Sequence, residues 1–235
     1  MINNNLIKEI EREAVYWDTV NWSKAISFWE DHLNNRTENI EALEIGCGQN
    51  GGLSLWLAAK GYHVICSGYD SDLKTAKGIH IKYNLNDRID YKTIDAKSIP
   101  DNEKYDLICF KSVLGGIIRD GSFEIAQHVI NQIYKTLKPK GILLFAENLA
   151  ASKFHSLLRT KYGALKNNWY YFNIEKIIKM LYQFSSIKYK TFGFTGCFGR
   201  NEFQRRVLGR IDTVLFDKIL PENLHYIISV VAVKK

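Results

Sequence analysis

Ala42-Leu43-Glu44-Ile45-Gly46-Cys47-Gly48-Gln49-Asn50-Gly51-Gly52 is an apolar run that breaks into a glycine-rich turn, and a second apolar run, Leu53 to Ala59, follows it. The first run reads as a buried strand and the second as a buried helix. Glycines at such a junction allow a sharp turn and let a ligand approach the backbone where a Cβ would obstruct it. Letter by letter, Gly46-x-Gly48-x-x-Gly51 matches a dinucleotide-binding fingerprint. An ordinary tight turn satisfies the same letters, so the ligand has to be decided by the rest of the chain.

Outward from this loop, apolar strands alternate with amphipathic helices. Strands are predicted near 40–45, 62–67, 89–94, 105–111 and 141–147, and helices near 52–60, 72–84 and 121–137. Such alternation implies right-handed crossovers and a parallel sheet covered on both faces. The first 36 residues read as helical, with Ile7, Ile10, Val15 and then Trp22, Ala25, Ile26, Trp29 and Leu33 at three- and four-residue steps. Residues 151–184 read as helical with aromatics at Trp169, Tyr170, Tyr171 and Phe172, 187–194 as a strand, 200–219 as a basic helix and 225–233 as a closing strand. With no long crossover between them, the last two strands read as an antiparallel pair at a sheet edge.

With 235 residues, 46% hydrophobic, 24% charged and only 3 prolines, the chain fits one α/β domain with decorations. No apolar run approaches the roughly 18–20 residues of a membrane span, and the polar start Met1 to Asn5 lacks a signal-peptide core. Cys47, Cys66, Cys109 and Cys197 show no CxxC spacing and read as small buried hydrophobes of a reducing compartment. A cytoplasmic protein without a metal site is therefore expected. Charge is uneven. Residues 1–150 hold 17 Lys/Arg against 20 Asp/Glu, whereas residues 151–235 hold 15 against 5. The basic C-terminal third suggests an anionic partner such as a nucleotide, a phosphorylated sugar, a lipid phosphate or a nucleic acid.

Three further landmarks lie at predicted strand ends: Asp95-Ala96-Lys97-Ser98-Ile99-Pro100, Tyr105-Asp106-Leu107-Ile108-Cys109-Phe110, and Leu137-Lys138-Pro139-Lys140-Gly141 leading to Glu147-Asn148. Together with Glu44 and the glycine loop, in this order and at these spacings, residues 40–148 resemble the class I S-adenosylmethionine-dependent methyltransferases. The stretches NWSKAISFWE (21–30), GGLSLWLAAKG (51–61), FKSVLGG (110–116) and FAENL (145–149) resemble a bacterial subgroup often found with surface-polysaccharide genes. The resemblance implies an α/β, Rossmann-like three-layer sandwich: a seven-stranded, mostly parallel sheet with an antiparallel last strand. An N-terminal helical cap (1–36) would precede the methyltransferase domain (37–235), with helical substrate-side insertions about 149–184 and 197–222.

The resemblance also implies S-adenosylmethionine as cofactor. Glu44 and the loop Gly46, Cys47, Gly48, Asn50 and Gly51 would hold its methionine end, Asp95 and Ala96 its adenine, and Lys111 would lie beside it. The chain departs from the family pattern at two places. The usual third glycine falls at Asn50, and the acid that ends the second strand, where the ribose is held, is displaced to Asp70, with Asp72 as the fallback.

Methyl transfer to a hydroxyl requires a proton acceptor as well as alignment. His155, Glu147 and Lys111 are the candidate catalytic residues. Asn148, Arg159 and Tyr170 are the candidate acceptor-binding residues, and Trp22, Trp29 and Trp169 are aromatics that either stack on a sugar or fill the core. Phe110-Lys111-Ser112 occupies the place of the Asn/Asp-Pro-Pro-Tyr motif of amino-group methyltransferases, which speaks against methylation of nucleic-acid bases. The expected acceptor is a small molecule or glycan, anionic and methylated at a hydroxyl. An RNA methyltransferase using the basic C-terminal third, and a non-catalytic module of the same fold, are the alternatives.

Overall fold

The computed structural model describes residues 4–33, 40–69, 73–119, 121–161 and 169–235. Helices α1 (Asn4–Val15) and α2 (Thr19–Leu33) precede strand β1 (Glu41–Glu44). Then come α3 (Gly52–Ala59), β2 (His63–Gly68), α4 (Lys74–Lys82), β3 (Ile89–Thr93), β4 (Tyr105–Lys111), α5 (Leu114–Ile117), α6 (Phe123–Thr136) and β5 (Leu137–Asn148). The remainder comprises α7 (Lys153–Lys161), α8 (Ile174–Met180), β6 (Ser186–Phe192), α9 (Glu202–Ile211), a π-helical turn (Asp212–Phe216), α10 (Asp217–Ile219) and β7 (Ile227–Val233).

The seven strands form one sheet in the order β3-β2-β1-β4-β5-β7-β6. β1 to β5 run parallel, and β7 lies antiparallel between β5 and β6. The predicted antiparallel pair is thus present, with β6 outermost. Alternate residues of each strand serve opposite faces, as the pleat requires. Ala42, Leu107, Cys109, Leu144 and Val231 pack under α1, α2 and α3, while Leu43, Ile108, Phe110, Phe145 and Val230 pack under α6 and α8. Trp22 and Trp29 lie in the first of these cores at 1% exposure, so they are packing residues. Cys47, Cys66 and Cys109 are buried free thiols. Within the predicted helical stretch 151–184, residues 169–173 are not helical, and Phe172 forms a bridge to Leu149 there; residues 162–168 lie outside the described residues.

The order reverses between β1 and β4, so the crevice outside their carboxyl ends is where an open α/β sheet binds ligands. Glu44 and Lys111 end those two strands. No helix among the described residues is long and apolar enough to cross a membrane.

Candidate active site

Glu44 is fully inside the fold. Its Oε2 accepts hydrogen bonds from the Ser54 N–H at 2.8 Å and the Ser54 hydroxyl at 2.5 Å, so it ties the end of β1 to the first turn of α3. Burial raises its carboxyl above the ordinary range. Gly46, Gly48 and Gly51 take left-handed φ values of 65°, 59° and 55°. A Cβ on Gly46 would stand 2.7 Å from Val113, and one on Gly51 would stand 2.8 Å from the His80 ring, whereas Gly48 faces open space. Gly51, not Asn50, takes the left-handed position before α3, which resolves the displaced glycine of the sequence. His80 fastens this turn. Its Nε2 donates to the Gly51 carbonyl at 2.9 Å and its Nδ1 accepts from Tyr91 at 2.9 Å. Burial lowers its pKa and keeps the ring neutral.

A cavity of about 300 Å³ opens over the loop. Glu44, Gly46, Cys47, Gly48, Asn50 and Lys111 line it, and Glu13 to Tyr16 at the end of α1 close it. Open space at Gly48 and a buried carboxylate at Glu44 suit a ligand with an amino-acid end. Asp95 and Ala96 follow β3 at the same edge but do not line this cavity; the Asp95 carboxylate accepts from the Lys97 N–H at 2.9 Å. Asp70 and Asp72 lie outside the described residues.

Lys111 is half-buried, with its ammonium 4.4 Å from the Trp22 ring centroid. Desolvation lowers its pKa to about 8 against the pull of Glu147, Asp18 and Glu44. Glu147 caps α5, its Oε1 accepting from the N–H groups of Val113 at 2.7 Å and Leu114 at 2.6 Å. Its Oε2 is buried without a hydrogen-bond partner, and burial pushes its carboxyl up to about 7.

A second cavity, of about 510 Å³, lies alongside. Asn148, Arg159, Tyr171, Arg200, Trp17 and Tyr226 are on its wall. Asn148 Nδ2 donates to Ser112 Oγ at 3.0 Å, and Ser112 belongs to the wall of the first cavity, so this pair joins the two. Arg159 donates to the carbonyls of Ala150 at 2.9 Å and Leu149 at 3.1 Å and stacks on Tyr171 at 3.8 Å. The Tyr226 hydroxyl donates to the Asp18 carboxylate and accepts from Asn21 Nδ2, the latter at 2.8 Å. Asn21 also donates to Asp212 at 2.9 Å. Burial pushes Asp18 up to about 7. Four non-glycine residues with left-handed backbones, Tyr16, Asp18, Ser112 and Ala151, flank these cavities.

Geometry revises two of the expected roles. His155 is fully buried, its Nε2 donating to the Phe194 carbonyl at 2.7 Å and its Nδ1 accepting from Ser152 at 2.7 Å. Burial lowers its pKa to about 4, so it is neutral, engaged at both nitrogens and unsuited to be a free base. Tyr170 does not line the second cavity; its ring packs on Gly121 and its hydroxyl accepts from Lys176 at 2.5 Å. Its neighbour Tyr171 takes the place expected of it, because β-type alternation around the Phe172 bridge turns Tyr171 toward Arg159. Trp169 abuts Gly115 and Gly116 instead of either cavity. Sequence reading missed Trp17, Asp18, Asn21, His80 and Tyr226. The available signal was polar residues at inward helical positions, Asn21 beside Trp22 and His80 four residues after Ala76.

The buried acids make stability pH-dependent. Asp18 and Glu147, each raised to about 7, hold protons in the folded state that the unfolded chain has released. Stability therefore falls as pH rises from the unfolded carboxylate range through about 7. Lys111, lowered to about 8, has the opposite sign, but only above that pH. Scanning calorimetry is expected to show the midpoint declining between about pH 5 and pH 7.5, and Glu147→Gln is expected to flatten that decline.

This sheet order, with a glycine loop after β1 and an antiparallel β7, defines the class I S-adenosylmethionine-dependent methyltransferase fold. A methyltransferase-domain family profile matches residues 21–188, and the chain belongs to that family. Among solved structures, phosphoethanolamine N-methyltransferase 2 of Haemonchus contortus, in complex with S-adenosyl-L-methionine, superposes with a TM-score of 0.63 at 18% identity over 91% of this chain. The chain spans about half that enzyme's length, 52%. A Methanosarcina mazei S-adenosylmethionine-dependent methyltransferase superposes at 0.60 with 17% identity, covering 87% of this chain and 96% of that one. The Bacillus subtilis protein YcgJ superposes at 0.60 with 11% identity, covering 90% and 98%. No curated protein sequence matches the chain.

Proposed function

We propose that the chain methylates a small anionic acceptor, phosphate-bearing or glycan-type, at a hydroxyl. The observation that carries this reading is the Asn148–Ser112 hydrogen bond, which makes the arginine-lined cavity and the loop cavity share one wall. When bound, S-adenosylmethionine supplies a methyl group activated by a sulfonium. Glu44 and the backbone of Gly46, Gly48 and Gly51 hold its methionine end, with Asp95, Ala96 and Asp70 assigned to the adenosine. Lys111 offsets the charge of Glu44, Glu147 and Asp18. The acceptor lies in the second cavity, its anionic group facing Arg159 and Arg200 and its apolar face against Trp17 and Tyr171. Tyr226 takes the acceptor's hydroxyl proton while passing its own to Asp18, so His155 is reassigned from base to a support of that wall. The division into a helical cap (1–36) and a methyltransferase domain (37–235) is part of the same reading. The Haemonchus contortus enzyme, solved also with phosphomonomethylethanolamine and S-adenosylhomocysteine, is a neighbour that handles a small phosphate-bearing acceptor.

The test is a panel of hydroxyl compounds offered as phosphorylated and dephosphorylated pairs with radiolabelled cofactor. Methylation confined to the phosphorylated members is expected, with O-methyl products by NMR. Equal use of the neutral members overturns the anionic acceptor. With the acceptor in hand, Arg200→Glu is expected to raise KM by roughly tenfold or more while kcat stays within about twofold, since a charge-assisted hydrogen bond is lost in ground and transition states alike.

A further inference from the structure

Residues 202–219 carry an apolar stripe that none of the described residues covers. Phe203, Val207, Ile211, Leu215 and Ile219 recur at four-residue steps and are 71%, 43%, 41%, 45% and 62% exposed. Four-residue steps place side chains along one helix face. The charges of this segment are sorted by sign. Glu202 accepts from the backbone N–H groups of Asp18 and Thr19, Asp212 is buried under Thr195 and Gly196, and Asp217 is paired with Lys24 at 2.5 Å. Asp212 and Asp217 are therefore turned inward, and Glu202, though part-exposed, is engaged by the start of α2. Arg206, Arg210 and Lys218 remain exposed. Arg206 and Arg210 border a groove shared with Glu9, Glu11 and Glu13 of α1, and within the segment itself every fully exposed charge is a cation. An exposed apolar stripe so flanked is the pattern of a helix that lies in the plane of an anionic bilayer.

We infer that the α9 face docks on an anionic lipid surface. Charge complementarity selects this occupant over a second copy of the chain, because apposing two such faces would bring arginine against arginine. The site's placement agrees. Phe198 and Arg200 of the acceptor-side cavity lead directly into α9, and Phe154 and Leu157 of α7, whose next two residues Leu158 and Arg159 line that cavity, are 52% and 63% exposed. Docking through α9 thus presents the cavity's rim to the membrane surface. The inference rests on the α9 face and not on the identity of the acceptor.

The test is co-sedimentation of the full chain with phosphatidylcholine vesicles, with and without phosphatidylglycerol, at low and moderate salt. Binding only to the phosphatidylglycerol vesicles is expected. Two variants separate the contributions: Phe203→Ser with Ile211→Ser and Ile219→Ser, and Arg206→Glu with Arg210→Glu. Each is expected to lower vesicle affinity roughly tenfold or more, with S-adenosylhomocysteine affinity by titration calorimetry unchanged as proof of folding. Absence of binding by the parent chain, or equal binding to neutral vesicles, overturns the inference. So does a dimer by light scattering that the serine variant dissociates, or RNA retention that the glutamate variant abolishes while the serine variant keeps it. If S-adenosylhomocysteine binds but vesicles do not, docking fails and the methyltransferase reading stands.

Discussion

Tyr226→Phe is expected to lower kcat about 100-fold or more, within the range for removing a positioned proton acceptor, while S-adenosylhomocysteine affinity changes less than about twofold. The substitution removes one buried hydroxyl from a residue that lines the second cavity and leaves the ring that packs against Gly193. That hydroxyl bonds both Asp18 and Asn21. Asp18, raised to about 7 by burial, must be ionised to receive the relayed proton. The rate of the parent enzyme is therefore expected to fall as pH drops through about 7. Asp18→Asn should lose the rate and the pH dependence together. A Tyr226→Phe enzyme that keeps its rate, or a parent rate independent of pH between 6 and 8, would falsify the relay.

Gly52→Ala is expected to cost about 3 kcal/mol or more, at the upper end for overpacking, which lowers the thermal midpoint by roughly 6–12 °C for a chain of this size. The added Cβ would fall 2.5 Å from Ala14 Cα and closer still to the Glu13 carbonyl oxygen. Those neighbours are backbone, so α1 as a whole has to retreat, and with it buried Ile10, Ala14 and Val15. Residues 13–16 also close the loop cavity, so cofactor affinity is expected to fall with stability. Gly78→Ala in α4 is the control. Nothing lies within 4 Å of its Cβ position, and alanine there should stabilise the helix by about 0.5–1 kcal/mol. A Gly52→Ala protein as stable as the parent would show that α1 does not bear on the loop.

Most of the sheet was legible because buried parallel strands write themselves as apolar runs such as Leu107–Phe110 and Leu143–Ala146. The loop was legible because left-handed backbone at Gly46, Gly48 and Gly51 demands glycine, and this forced signal survived one displaced position. The acceptor side was harder to read. Asp18 and Asn21 meet Asp212 and Tyr226 across separations of about two hundred residues, and a hydrogen bond between distant positions leaves no periodicity. His155 misled because a histidine near a strand end looks the same whether its nitrogens are free or bonded to Phe194 and Ser152. Tyr170 and Tyr171 are adjacent, and only the local pleat decides which faces the cavity.

The antiparallel placement of β7 has an evolutionary consequence. Phe192, the last residue of β6, pairs with Ile227, the first of β7, and Ile227 pairs in turn with Asn148. The whole excursion 193–226, including α9, therefore leaves and re-enters the sheet at neighbouring points beside the reactive edge. Because its ends are pinned together, its length is nearly free of the sheet's geometry, as loop-closure cost grows only slowly with length. Its length can therefore change at the surface without disturbing the pairing of β5, β7 and β6, which leaves this edge of the fold open to insertion.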